Sequence, residues 1–382
     1  MGRFPEAACE LVAPDISVSR LGEAAFFVRA GRTAIRKETA MAIALTGIKP
    51  TGTPHLGNYL GMIRPALALA VDHDAYYFVA DAHALNTTPE PAEVGQFTQQ
   101  AAATLLALGL NPERSVLYRQ SDVLEVFQLS SILACVTPKG LLNRAHAYKA
   151  AVDANVAGGR DPDAGVNMGL YTYPVLMAAD ILCLAAQRVP VGLDQRQHLE
   201  IARDIAQGFN RRYGEVLTVP EAAIDPRVAT IPGLDGRKMS KSYGNTIPIF
   251  GGPDDLRRAV QRIVTDSRPP HEPRDPDSDL IFQLFQHVAP APDVDVMRRR
   301  LREGGLGYAA AKRRLFEALE ATFGDARRRY VELVEDPAEI SRILTYGGAR
   351  VRLRAARVLA TVRDAVGLDL ATPRVDEPVT PR

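Results

Sequence analysis

Short apolar runs followed by helical patterns recur through the first half of the chain. Three such runs occupy residues 42–45, 75–80 and 115–118, and we predict that each is a buried strand, the first ending at Thr46 and Gly47. The apolar residues between the first two runs recur at helical spacing. Strands that alternate with helices pack side by side as a parallel sheet, with helices on both faces. The sequence therefore predicts an α/β fold.

Pattern and composition divide the chain into four regions. Residues 1–40 show weak periodicity and no motif, so we predict an N-terminal extension outside the core. Residues 41–250 carry the alternation of strands and helices, and helical patterns without strand signals fill residues 251–366. Residues 367–382 form a tail rich in Pro and Thr. The sequence therefore predicts an α/β domain followed by an α-helical domain.

Composition excludes several classes of protein. A hydrophobic content of 46% with 24% charged residues is ordinary for a globular protein with a sizeable core. No apolar run approaches the roughly 18 residues that a membrane span needs, so we predict no membrane association. Cys9, Cys135 and Cys183 are too few and too scattered for a disulfide framework or a cysteine zinc site. We therefore predict a cytoplasmic location.

The first predicted strand leads through a glycine-containing turn into a helix that starts near His55. The helix opens with His55, Leu56, Gly57 and Asn58. Unpaired main-chain N–H groups and the dipole make a helix N-terminus attractive to anions, and Gly57 would let a nucleotide lie close to the backbone. The side chains of His55 and Asn58, one turn apart, can donate hydrogen bonds to phosphate oxygens. This turn is a candidate phosphate site.

Residues 237–245 read Arg-Lys-Met-Ser-Lys-Ser-Tyr-Gly-Asn and place Lys238 and Lys241 three positions apart after a glycine-containing loop. Lysine carries a compact charge on a long, mobile stem. Two lysines on such a loop can close on a polyphosphate and follow its charge as a bond breaks. An arbitrary pair of lysines at this spacing is more often a solvated basic turn, so the loop gains meaning only with a partner site.

Together the two segments resemble the HIGH and KMSKS motifs of class I aminoacyl-tRNA synthetases. The resemblance implies a Rossmann-like catalytic domain that makes an aminoacyl-adenylate from ATP, and a helical domain that binds the tRNA anticodon. Mg²⁺ is expected on the triphosphate, held by phosphate and water and not by a metal site of the protein. His55, Asn58, Lys238 and Lys241 would be catalytic. The implied ATP-binding residues are Lys49, Gly57, Asn58, Gly192, Asp194, Lys238, Met239, Ser240 and Lys241.

Residues 171–182 and 189–200 resemble the tryptophanyl members of that family. This implies that L-tryptophan and tRNA(Trp) are substrates, and that the chain forms a homodimer. By the same resemblance Asp180 would accept the indole N–H. The other implied tryptophan-binding residues are Met177, Val189 and Val191 as apolar walls, Tyr173 and Gln195 at the ammonium group, and His83 beside the substrate. Leu45 and Lys49 depart from the residues common in the family.

The chemistry of Asp180 can be argued without the family. An unpaired carboxylate within an apolar helix is costly, so Asp180 needs a hydrogen-bond donor. An indole N–H is a donor only. A site built around that bond would reject phenylalanine, because the buried acceptor would be left unpaired. An internal arginine or main-chain N–H could equally satisfy Asp180, and the residues alone favour that alternative.

Positive charge is concentrated towards the C-terminus. Residues 296–363 contain 16 Lys and Arg against 8 Asp and Glu, while the whole chain has a net charge of only +1. Such asymmetry is typical of a surface that faces a polyanion, although a solvated arginine-rich helix would look the same. Arg350, Arg354 and Arg357 fall on one helical face and are candidate tRNA contacts.

Two other functions remain open at this point. The chain could activate tyrosine, because the tyrosyl enzymes share the general frame. It could also be a non-catalytic paralogue that binds RNA or senses tryptophan. Both sets of candidate phosphate-binding residues are intact, which argues against the second alternative.

Overall fold

The computed structural model describes residues 41–87, 90–190, 196–223 and 231–369, so the predicted extension and all but the first three residues of the predicted tail lie outside the described residues. The strands among them are β1 (Ile43–Ile48), β2 (Asp74–Val79), β3 (Val116–Arg119), β4 (Arg188–Pro190) and β5 (Glu221–Ala223). They form one sheet in the order β3-β2-β1-β4-β5, and every pairing is parallel. The predicted α/β fold with a parallel sheet is confirmed.

Helices connect and cover these strands. The described α-helices are α1 (Leu56–Asn58), α2 (Arg64–Ala68), α3 (Asp81–Ala84), α4 (Pro91–Ala107), α5 (Leu124–Ala134), α6 (Lys139–Leu142), α7 (His146–Ala157), α8 (Met168–Cys183), α9 (Arg196–Tyr213), α10 (Pro253–Gln261), α11 (Leu280–Phe285), α12 (Ala291–Glu303), α13 (Tyr308–Glu335) and α14 (Pro337–Ala365). A π-helical turn, Tyr59–Ile63, joins α1 to α2, and short 3₁₀ turns occupy Leu69–Val71, Gln120–Asp122 and Lys241–Tyr243.

The two faces of the sheet bury different side chains, as the two-residue period of a strand requires. Leu45 and Tyr118 belong to a core shared with α5, α8 and α9. Tyr77 and Leu117 point the other way, into a core shared with α4. Helices therefore cover both faces. Because β1 lies between β2 and β4, the chain reverses its direction of travel across the sheet there. A crevice at the carboxyl ends of such strands is where open α/β sheets bind ligands.

The first strand is longer than the sequence suggested. β1 continues through Thr46 and Gly47 to Ile48, so the prediction that it ends at Gly47 was wrong. Gly47 pairs with Phe78 of β2. A Cβ at Gly47 would lie only 2.5 Å from Cζ of Phe78, so the ring occupies the space that a side chain would need. The glycine marks close packing within the strand and not a turn.

The helix that carries Asp180 also begins earlier than Pro174 suggests. α8 starts at Met168, where the side chain of Asn167 accepts a hydrogen bond from Leu170 N at 2.8 Å. An asparagine in this position satisfies one of the free donors of the first turn and sets the helix start. Pro174 therefore lies inside α8.

The C-terminal helices share cores with the sheet. α10 to α13 pack with the loop around Met239 into one core. α14 then crosses the edge of β3 at Gly347, where the Leu117 carbonyl leaves no room for a Cβ. Val351 and Ala355 continue into the core that also contains Leu45. α14 thus covers what would otherwise be an exposed strand edge. The predicted domain boundary at residue 250 stays a prediction.

Candidate active site

The candidate site residues collect at the carboxyl ends of adjacent parallel strands. His55 follows β1, His83 lies in α3 directly after β2, and Gln120 follows β3. The carboxyl ends of parallel strands meet at one edge of the sheet, so these three side chains share that edge.

Asp180 is buried among hydrogen-bond donors. Its side chain is 2% exposed. Nε2 of Gln120 lies 3.0 Å from Oδ1 and 2.7 Å from Oδ2 of Asp180, and Nε2 of His83 lies 3.2 Å from Oδ2. The internal partners of Asp180 are thus an amide and an imidazole. Neither is the arginine or main-chain N–H that the alternative interpretation required.

Burial raises the pKa of the Asp180 carboxyl, and the hydrogen bonds from His83 and Gln120 oppose that rise. An ionised carboxylate has about four acceptor positions, and these partners use about three of them. These contacts leave one acceptor position, on Oδ1, without a donor among the described residues. Gln120 could not be predicted from the sequence, because a single glutamine after a strand has no distinctive pattern.

The other predicted tryptophan-binding residues lie on neighbouring elements. Tyr173, Met177 and Asp180 follow one another at helical spacing on α8 and therefore share a face. The hydroxyl of Tyr173 lies 2.7 Å from Nε2 of His198. Val189 is buried within β4. Val191, Gly192, Asp194 and Gln195, all predicted to bind tryptophan or ATP, lie outside the described residues.

At the other end of the site, His55 and Asn58 cap the first helical turn reciprocally. Asn58 N donates to Nδ1 of His55 at 3.3 Å, and His55 N donates to Oδ1 of Asn58 at 3.1 Å. This is the arrangement of a capping box, with histidine in the place of serine or threonine. Each cap uses one atom of the side chain. Nε2 of His55 and the amide nitrogen of Asn58 remain as donors towards a ligand.

Main-chain donors of this turn are already used within the protein. Leu56 N donates to the Ile247 carbonyl at 2.9 Å, and Gly57 N points at Sδ of Met239 at 3.2 Å. This contradicts the expectation that unpaired main-chain N–H groups there face an anion. The close approach that needs Gly57 is to Met239 and His55, since a Cβ would lie 3.3 Å and 3.1 Å from their atoms.

A cleft of about 260 Å³ separates this turn from the lysine loop. Among its lining residues are five of those predicted to act on ATP, namely Lys49, His55, Asn58, Ser240 and Lys241. Nζ of Lys241 donates to the Thr51 carbonyl across the cleft at 2.9 Å. Lys238 is exposed and is not among the residues that line the cleft.

The electrostatics of the cleft suit an anion. Burial, and then the charge of Lys241, lower the pKa of His55 to about 4. His55 is therefore neutral near pH 7. Since its Nδ1 accepts from Asn58, the ring proton lies on Nε2. Burial also lowers the pKa values of Lys49 and Lys241, which shows that both ammonium groups are partly withdrawn from water. Both lysine side chains nevertheless keep contact with solvent, so the cleft combines two cations with two neutral donors.

The C-terminal arginines separate into paired and unpaired groups. Arg354 is partly buried and its Nε donates to the Leu184 carbonyl at 2.8 Å, while Arg352 pairs with Glu125 at 3.2 Å. Five exposed residues instead line one face of α14 and form no side-chain ion pair with any described residue. We call them the α14 stripe: Arg342, Tyr346, Arg350, Leu353 and Arg357. Of the three arginines singled out from the sequence, two therefore lie on this stripe and Arg354 does not.

Comparison with known proteins places this geometry in a family. The family model for class I tRNA synthetases (W and Y) matches residues 37–324. The tryptophan–tRNA ligase of Pseudomonas aeruginosa is 55% identical over 329 residues, which cover 85% of this chain and 73% of that protein. That of Bordetella pertussis is 53% identical over 341 residues, covering 88% and 75%. The chain belongs to the class I tRNA synthetases, in the family of the tryptophan and tyrosine enzymes.

Solved structures agree with this assignment. Tryptophanyl-tRNA synthetase from Campylobacter jejuni, complexed with ADP and tryptophan, matches with a TM-score of 0.77 and 40% identity, covering 85% of this chain and 100% of that chain. Tyrosyl-tRNA synthetase from Archaeoglobus fulgidus matches with a TM-score of 0.56 at 20% identity, covering 78% and 92%, and shares the fold alone. The resemblance to the tryptophanyl enzymes and the predicted Rossmann-like fold with C-terminal helices are confirmed.

Proposed function

We infer that the chain activates L-tryptophan with ATP, giving tryptophanyl-adenylate and pyrophosphate, and then transfers tryptophan to tRNA(Trp). The observation that carries this function is an identity above 50%, over most of the chain, with proteins that are tryptophan–tRNA ligases. The site geometry supports it, because a buried carboxylate and a cationic cleft stand at the same edge of the sheet. The tyrosyl-tRNA synthetases from Archaeoglobus fulgidus and Aeropyrum pernix, by contrast, match this chain at 20% identity.

The amino-acid end would recognise tryptophan through the remaining acceptor position of Asp180. The indole N–H would donate there, since it can donate but not accept. Met177, Val189 and Val191 would supply apolar walls, and His83 would lie beside the ring. Tyr173 and Gln195 would hold the ammonium group; the contact between Tyr173 and His198 fixes the Tyr173 hydroxyl for that purpose. These roles are proposals that substitution can test one residue at a time.

At the phosphate end, the tryptophan carboxylate would attack the α-phosphorus of ATP in line, with pyrophosphate leaving. Phosphoryl chemistry of this kind depends mainly on positioning and charge stabilisation. Nε2 of His55 and the amide of Asn58 would donate to phosphate oxygens. Lys241, with Lys49 near it in the cleft, would stabilise the charge that develops on the leaving pyrophosphate. Lys238 would join them only if the loop moves.

The other residues predicted to bind ATP would support the phosphate site or contact the ribose. Ser240 lines the cleft beside Lys241. Met239 and Gly57 contact each other, and we propose that they fix the loop against the first helical turn. Gly192 and Asp194 are proposed to meet the ribose, as the family resemblance implies.

Mg²⁺ is proposed to enter with ATP. The side chains of the cleft that carry a charge are cationic, and the polar groups beside them are neutral donors. Mg²⁺ prefers oxygen ligands and keeps much of its water, so here it would be held by triphosphate oxygens and water. No cluster of three or more His, Cys, Asp or Glu side chains suited to a metal occurs within the described ranges. Bound Mg²⁺ would offset negative charge on the phosphates.

Transfer to tRNA needs a surface for a polyanion, and we propose the α14 stripe as part of it. Residues 341–357 contain no Asp or Glu, so nothing on this stretch repels phosphate. The guanidinium of Arg350 lies 5.9 Å from the ring centroid of Tyr346, which is 65% exposed. An exposed aromatic ring among arginines can stack an unpaired base while the arginines meet phosphates.

The family resemblance also supports a homodimer in the cytoplasm. No helix of the described residues is both long and apolar enough to cross a bilayer. Light scattering at several protein concentrations would test the dimer, and cell fractionation would test the location.

Amino-acid-dependent exchange of pyrophosphate with ATP tests the function directly. We expect exchange with tryptophan and weaker exchange with tyrosine. Exchange with phenylalanine, which has no side-chain donor for Asp180, should be lower by at least about four orders of magnitude. Stronger exchange with tyrosine would support the tyrosyl alternative. Absence of exchange with every amino acid would support the non-catalytic paralogue.

A further inference from the structure

Gln120 is a fully buried amide that contacts two residues of the candidate tryptophan site, His83 and Asp180. Its side chain is 0% exposed, and it opens the 3₁₀ turn directly after β3. A buried amide must find partners for both its oxygen and its nitrogen. Those partners come from two other elements, His83 of α3 and Asp180 of α8.

The contacts fix which way the amide faces. Oε1 of Gln120 accepts from the main-chain N–H of His83 at 3.3 Å. A main-chain N–H can only donate, so the oxygen must be on that side. The amide nitrogen is therefore turned to Asp180, where it lies within 3.0 Å of both carboxylate oxygens. The orientation is set by the protein before any ligand binds.

This arrangement acts on Asp180 in two ways. Two contacts from one rigid amide hold the plane of the carboxylate, while His83 Nε2 reaches only Oδ2. The same contacts favour the ionised form, which opposes the effect of burial. Asp180 is thereby kept as a hydrogen-bond acceptor with one position of Oδ1 left open.

We propose that Gln120 is a positioning residue that confers selectivity for the indole N–H by holding the Asp180 carboxylate towards it. The proposal rests on the proposed function, because it assumes that Asp180 meets the indole ring. Gln120 itself need not touch the substrate. A simpler role, in which Gln120 only fills and satisfies the core, would leave this selectivity unchanged when the residue is replaced.

The test compares tryptophan with β-(benzothiophen-3-yl)-alanine, in which sulfur replaces the indole N–H. Pyrophosphate exchange gives kcat/KM for each amino acid, and their ratio isolates the N–H contact. Gln120→Met keeps the length and removes the donor. We expect kcat/KM for tryptophan to fall about tenfold or more, and that for the sulfur analogue to change by less than about threefold.

A second variant keeps the test valid if Gln120→Met does not fold. Gln120→Glu keeps an oxygen for the His83 N–H but turns a second carboxylic oxygen towards Asp180, and we expect the same loss of selectivity. The matched control is Ser121→Ala, because Ser121 bonds Asp81 through its hydroxyl and not Asp180. Its ratio should equal that of the wild type.

The outcomes distinguish a failure of the positioning role of Gln120 from a failure of the proposed function. Equal losses for both amino acids in the two Gln120 variants, with the ratio unchanged, would overturn the positioning role while the wild-type exchange still supports the proposed function. A wild-type enzyme without tryptophan-dependent exchange would overturn both. A ratio that falls in the Gln120 variants and not in Ser121→Ala supports the proposal.

Discussion

Around Asp180 the hydrogen bonds run between buried side chains, whereas around Lys241 they run mainly to main-chain atoms. Asp180 and Gln120 are each almost fully buried and hold one another at 2.7 Å. Lys241 is exposed, and its described hydrogen bond from Nζ goes to the Thr51 carbonyl. A side-chain network of fixed orientation suits recognition of one substrate shape. A long lysine side chain whose ammonium group contacts a main-chain carbonyl can follow the negative charge that shifts onto the leaving pyrophosphate during the reaction.

The lysine loop is nevertheless held firmly beside its lysines. Asn245 is 3% exposed; its Oδ1 accepts from Ser240 N at 2.8 Å, and its Nδ2 donates to Oδ1 of Asp235 at 2.7 Å and to the Lys238 carbonyl at 3.2 Å. Met239 packs into the helical core from the same loop. The loop is therefore anchored at Met239 and Asn245, and the two lysine side chains extend from that anchored backbone.

Substitution of the buried carboxylate, Asp180, should have the largest effect on activity. Asp180→Asn keeps the size of the side chain but removes the charge and turns an NH₂ towards Gln120 or His83. The loss of a charged hydrogen bond together with mismatched buried donors should cost about 3–4 kcal/mol, or roughly 100- to 1,000-fold in kcat/KM for tryptophan. Steady-state pyrophosphate exchange measures this, with thermal melting to confirm the fold. A variant within threefold of the wild type would rule out Asp180 as the indole acceptor.

Removing the cation at the exposed end should affect the reaction and not recognition. We expect Lys241→Ala to slow adenylate formation about 100-fold, because a charge that stabilises the leaving pyrophosphate is lost. Tryptophan binding should change by less than about twofold. Pre-steady-state kinetics and equilibrium binding measure the two quantities separately. Equal losses in both would contradict the assigned role.

Two companion variants sharpen this result. Lys139→Ala removes a surface lysine outside the cleft and should leave both quantities unchanged. Lys238→Ala tests the loop itself, because Lys238 does not line the cleft in this structure. A loss as large as that of Lys241→Ala would mean that the loop rearranges when ATP binds.

Loosening the anchor of the loop should have a smaller effect. Asn245→Ala leaves Ser240 N and the Lys238 carbonyl without their side-chain partner, so the loop should sample other conformations. We expect adenylate formation to slow about tenfold, with tryptophan affinity unchanged. The control is Arg237→Ala, since Arg237 also binds Asp235 but on the exposed side, where ion pairs contribute little. A similar loss in both variants would point to Asp235 in place of Asn245.

The features of the site that depend on neighbouring residues in the chain could be predicted from the sequence. The features that depend on contacts between distant residues required the structure. The presence of a strand before His55, though not its end, and the motif around Lys241 could be read directly, and the structure brings both residues to one cleft. The prediction of free main-chain donors failed because their acceptors come from far along the chain. Gly57 and its partner Met239 are 182 positions apart.

Gln120 shows the same limit at the buried end. Its partners His83 and Asp180 lie 37 and 60 positions away. The parallel pairing of β2 with β3 brings His83 close to Gln120, and Asp180 comes from α8. Periodicity describes which face of an element is buried, but it contains no information about which polar residues of different elements meet. A buried polar network therefore has to be found in three dimensions.

The smallest effect is expected far from the chemistry, on the α14 stripe. Tyr346→Ala and Arg350→Ala should each raise the KM for tRNA about fivefold, the size of one lost base stack or phosphate contact, and leave pyrophosphate exchange unchanged. Arg350→Ala should also make tRNA binding less sensitive to salt, because one fewer phosphate is neutralised. Arg352→Ala is the matched control, since it removes an arginine two positions away that is paired with Glu125. If Arg352→Ala weakens tRNA binding as much as Arg350→Ala, general positive charge, and not the stripe, attracts the tRNA.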